Sequence, residues 1–70
     1  MNEFTLQMIL CTINKALQNQ KNSTKNNSIT ASLIDTIIKQ NSWEMILDTA
    51  KKYEYHFALH VFQEIQKQQS

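Results

Sequence analysis

Neither glycine nor proline occurs anywhere in the 70 residues. Glycine is the default residue for positive φ and proline for a fixed turn, so any architecture built on tight or closely approached backbone loses its usual material. Glycine loops that cradle phosphate, nucleophile elbows and two-residue primed hairpins are disfavoured together. Most nucleotide-binding and hydrolase folds are thereby set aside. Asn, Ile and Lys are abundant while Arg is also absent, a bias that AT-rich coding would produce as well.

The charge balance is equally unspecific. Seven Lys against six Asp plus Glu leave a formal net charge of +1, too even to argue for nucleic acid or a membrane surface by charge alone. With 41% hydrophobic residues and no apolar run of membrane-spanning length, the composition predicts one small soluble domain over residues 1–70. Cys11, the single cysteine, has no partner for an intramolecular disulfide, and domains this small in oxidising compartments carry several, so a cytoplasmic setting is expected. The apolar stretch from Phe4 to Ile13 follows Glu3 rather than Lys or Arg and is interrupted by Thr5, Gln7 and Thr12, which argues against an export signal.

Hydrophobic spacing points to helices throughout. Leu6, Ile9, Leu10, Ile13, Ala16 and Leu17 fall in an arc of roughly 120° on a helical wheel, after Asn2 as N-cap and Glu3 at the positive end of the dipole. This predicts helix 1 over about 3–19, with Phe4, Met8 and Cys11 on its opposite side. The wholly polar run that follows predicts a loop over about 19–29. Helix 2 is expected over about 30–40, capped by Ser28 or Thr30, with Ser32 and Asp35 at capping-box spacing and Leu33, Ile34, Ile37 and Ile38 in repeating pairs. Asn41 and Glu44 offer another capping box, and apolar spacing then runs over about 42–68. One helix of that length would span roughly 39 Å, long for so small a domain, so a break at 52–55 stands beside the continuous version.

The C-terminal stretch resembles one helical hairpin of the tetratricopeptide and pentatricopeptide kind, with Trp43 and Leu47 on its first helix and Ala58, Leu59 and Phe62 on its second. Leu47 stands where those repeats carry a small residue, and a lone hairpin lacks their stacked neighbours. The resemblance implies a bend and peptide binding.

Chemistry-bearing residues are few. His56 and His60 share a helical face, with Glu64 one turn on, yet they lie beside Gln63 and Lys67 on the polar side, so no metal or other cofactor is expected. Cys11 has no histidine near it in sequence, and Glu44 with Asp48 is an ordinary surface pair; no catalytic residue is assigned and no enzyme is expected. Helix 2, a short turn and helix 3 could imitate a helix-turn-helix with Lys15, Lys21, Lys25, Lys51 and Lys52 as its footprint, but the would-be recognition helix opens Ser-Trp-Glu-Met and Arg is missing.

Apolar surface is the stronger clue. Tyr55, Phe57, Ala58, Leu59, Val61, Phe62 and Ile65 sweep roughly 200° of the last helix, more than one neighbour covers. The expectation is an all-α fold, a small three-helix bundle whose third helix is continuous or bent into a hairpin. Its expected role is docking on another protein, as an adaptor, small chaperone-like partner or inhibitor, and on itself as a homo-oligomer. Phe4, Met8, Cys11, Trp43, Phe57 and Phe62 are the expected contact residues. A small dimeric DNA-associated regulator is the alternative.

Overall fold

Asn2 is extended (φ −77°, ψ 164°) and its side-chain oxygen accepts the Thr5 N–H at 2.8 Å, which starts α1 (Glu3–Gln18) as its sequence suggests. The computed structural model describes residues 1–19 and 24–69, with side chains at 24–27 left aside. Its remaining helices are α2 (Thr24–Gln40), α3 (Trp43–Lys52) and α4 (His56–Gln69). The described chain is all-α, with four helices and no strand.

α2 corrects the expected loop. It begins at Thr24, six residues earlier than expected, so Ser28 and Thr30 are interior and Thr30 is buried. Ser32 does not cap either: its carbonyl accepts Thr36 Oγ1 at 3.0 Å, while Asp35 pairs with Lys39 at 3.0 Å. Asn, Ser and Thr trail alanine in helix propensity by only about 0.5 kcal/mol each, and neither glycine nor proline intervenes. Once Thr30 and Ile37 are seated, turns added in front need no new nucleus. The part of the expected loop at residues 20–23 lies outside the described residues.

At the next junction Ser42, not Asn41, is the N-cap: its Oγ accepts the Met45 N–H at 3.2 Å. Glu44 then falls one position short of a capping box. Asn41 turns back instead, its amide donating to the Ile37 carbonyl at 3.0 Å near the end of α2.

The long apolar run is broken, as the hairpin version expected. Tyr55 N–H donates to the Ala50 carbonyl at 2.9 Å and Glu54 N–H to the Lys51 carbonyl at 3.1 Å, the paired bonds of a Schellman ending. That ending needs a left-handed residue after the cap, and with no glycine in the chain Glu54 supplies it at φ 58°. The restart is held from outside the hairpin. Asn14 of α1 accepts the Ala58 N–H through Oδ1 at 3.0 Å, doing for α4 what no side chain at its own N-cap position does.

These three bonds set the turn between α3 and α4 and tie it to α1. α3 and α4 return on each other, α1 packs against both and against α2, and α2 also reaches α3. Leu6, Leu10 and Ile13 of α1 close over Ile37, Ile46, Ala50, Ala58 and Phe62, all fully buried. Trp43 meets Phe62 edge to face at 6.4 Å, tying the start of α3 to the middle of α4. Among the described residues no helix is long and apolar enough to cross a membrane.

Candidate interaction surface

The inner stripe of α1 leaves Phe4, Met8, Cys11 and Lys15 within about 60° of one another on its outer side. No helix of the described chain covers them: Phe4 is 71% exposed and Met8 52%, while Cys11 is half-buried. Two tyrosines from the α3–α4 turn border this stripe. Tyr53 and Tyr55 stack at 5.8 Å, the Tyr53 hydroxyl reaches Glu3 at 3.4 Å, and Gln7 donates its amide to the Tyr55 oxygen at 2.5 Å. Tyr53 keeps 39% exposure and so adds apolar area beside α1.

Charge at this border is local. Lys52 binds Glu3 Oε2 at 2.7 Å, and that hydrogen bond with its ionic attraction holds the Glu3 carboxyl below its usual range and raises Lys52 above its own. Burial pushes the Tyr55 phenol up, and the neighbouring Cys11 sulfur pushes the same way against the Gln7 bond. Cys11 therefore lies against Tyr55, in the setting of a small packing residue.

A second place lies farther along α1. Leu17 with His56, Phe57, His60 and Val61 lines an open groove of about 470 Å³, and Phe57 is 49% exposed on it. Its lining is mostly apolar, with the two imidazoles as the polar contribution. Glu64 pairs with Lys67 at 3.3 Å, and among the described residues no three His, Cys, Asp or Glu side chains gather as metal ligands.

The six expected contact residues thus part company. Phe4, Met8 and Cys11 form one stripe and Phe57 stands on the groove. Trp43 is half-buried against the core. Phe62 is fully buried among Trp43 and its neighbours and reaches no surface, which removes it from the set. Spacing alone could not separate Phe57 from Phe62, because both lie in the same wide apolar arc; the position of α3 decides. Ile29, 62% exposed, and Tyr53 are surface apolar residues outside the expected set, while Leu17, expected on the inner stripe of α1, keeps contact with the core.

Lys39, Lys52 and Lys67 each hold a carboxylate, Lys21 lies outside the described residues, and the side chain of Lys25 is among those left aside. No protein-family model, curated protein or solved structure matches the chain.

Proposed function

We propose that this chain is a non-enzymatic protein-interaction module, an adaptor, small chaperone-like partner or inhibitor, that docks through apolar helix faces. The observation that carries the reading is the set of large apolar side chains left outside a filled core: Phe4 and Met8 on α1 and Phe57 at the groove. An exposed aromatic in a concave apolar setting is the usual anchor of a protein interface. A half-buried cysteine packed on a tyrosine and acids tied up with lysines support binding rather than chemistry. The free thiol fits a reducing, cytoplasmic setting.

Capture from native extract on the immobilised chain tests the reading. A protein retained in high salt by the wild type, and lost on Phe57→Asp with unchanged helical content, is the expected result. Recovery of nucleic acid instead, falling steeply with salt, would support the dimeric DNA-associated regulator and overturn docking on a protein.

A further inference from the structure

We infer that the exposed stripe of α1 pairs with the same stripe of a second copy, antiparallel, about a twofold axis between Met8 and Cys11. The inference rests on the reading above, that uncovered apolar helix faces are docking surfaces, and it names the occupant of one of them.

Charge placement selects that occupant and its direction. Glu3, on the flank of α1 beside the N-terminal end of the stripe, and Lys15, at its C-terminal end, stand about 18 Å apart along the helix. In an antiparallel pair with Met8 near Cys11 of the other copy, each Glu3 comes beside the other copy's Lys15, and each helix N-terminus beside a C-terminus. A parallel pair would set Glu3 on Glu3 and Lys15 on Lys15. Both internal contacts of Glu3 fall on Oε2, so Oε1 is left to an incoming cation, and Lys15 takes no part in the ion pairs among the described residues. Phe4 would lie under the Lys15 stem of the other copy, a position suited to aliphatic and cation–π contact. The net charge of +1 adds almost no repulsion between copies.

The area available sets the strength. At roughly 200 Å² for a large side chain, the exposed parts of Phe4, Met8 and Tyr53 offer about 300 Å² of apolar surface per copy. A standard interface takes about 800 Å² per partner, somewhat over half of it apolar. With Thr5, Thr12, Lys15 and Gln18 as a polar rim, all exposed, the stripe supplies a modest interface of this composition. An interface this small suits a reversible dimer rather than an obligate one.

Sedimentation equilibrium on the full chain from about 5 to 500 µM reads this directly. The wild type is expected to pass from monomer to dimer across the range, and Phe4→Asp to weaken pairing at least about tenfold with its far-ultraviolet helix signal intact. Lys15→Glu is expected to weaken it, and adding Glu3→Lys to restore it, because the swap rebuilds opposite charges only in the antiparallel pair. A monomer at every concentration, a dimer indifferent to Phe4→Asp or to Lys15→Glu, or a charge-swapped chain that fails to recover would each overturn the pairing. A chain that stays monomeric yet captures another protein through Phe57 would end this inference and leave the proposed function standing. Failure of both assays would end both.

Discussion

Two side chains do work at the α3–α4 turn that the local sequence does not advertise. Glu54 occupies a left-handed position that costs an L-residue about 1–2 kcal/mol, part of which glycine would return as unfolded-state entropy. Glu54→Gly is therefore expected to stabilise the fold by about 0.5–1 kcal/mol in urea unfolding, despite adding the residue the chain otherwise avoids. Asn14→Ala removes the acceptor for Ala58 N–H and should cost about 1–2 kcal/mol by the same measurement, while Asn14→Asp keeps an oxygen there and should cost less. Tyr55 gives a pH signature. Its phenol is raised in the folded chain above the ordinary value of 10.0, so the stability it contributes is complete below pH 10 and is lost as pH rises through the folded value. Alkaline unfolding of Tyr55→Phe should consequently show a shallower dependence on pH above 10 than the wild type.

Helix α1 was the most legible element, because its N-cap, its three-and-four spacing and its inward residues Leu6, Leu10 and Ile13 agree with one another. The start of α2 was not, since Asn, Ser and Thr read as loop formers and only the anchoring of Thr30 and Ile37 makes their helix worthwhile. The break after Lys52 was legible as an alternative from length, but no glycine marks it, and Glu54 gives no signal of a left-handed backbone. Of the candidate contacts, Phe4 and Met8 were found by sitting opposite a well-defined inner stripe. Phe57 and Phe62 were indistinguishable until α3 and Trp43 were placed, because a 200° apolar arc offers two inner faces and tertiary packing chooses one. Buried and exposed phenylalanines should diverge accordingly: Phe62→Ala is expected to remove most of the folding stability and with it the cooperative urea transition, whereas Phe4→Ala should stay within about 0.5 kcal/mol in the monomer.

As a whole the molecule folds to an ordinary density. Its radius of gyration is 11.3 Å, against about 11 Å for a compact chain of this length, and its accessible surface of 4802 Å² compares with about 4500 Å² for a folded monomer of its mass. The core is therefore closed, and the uncovered stripe of α1 is a feature of its surface rather than a sign of loose packing. A core this small supports only about 3–5 kcal/mol, so a second copy on α1 would add a visible share of stability. The melting temperature should accordingly rise with chain concentration, and Phe4→Asp should flatten that rise.

The most direct test is residue-resolved: amide chemical shifts of the full chain recorded from dilute to concentrated solution. Shifts along Phe4, Met8, Cys11 and Lys15 are expected to move with concentration while those of Ile37, Ile46 and Phe62 stay fixed. A stripe whose shifts are the same at every concentration, or movement centred on α2 instead, would contradict the pairing.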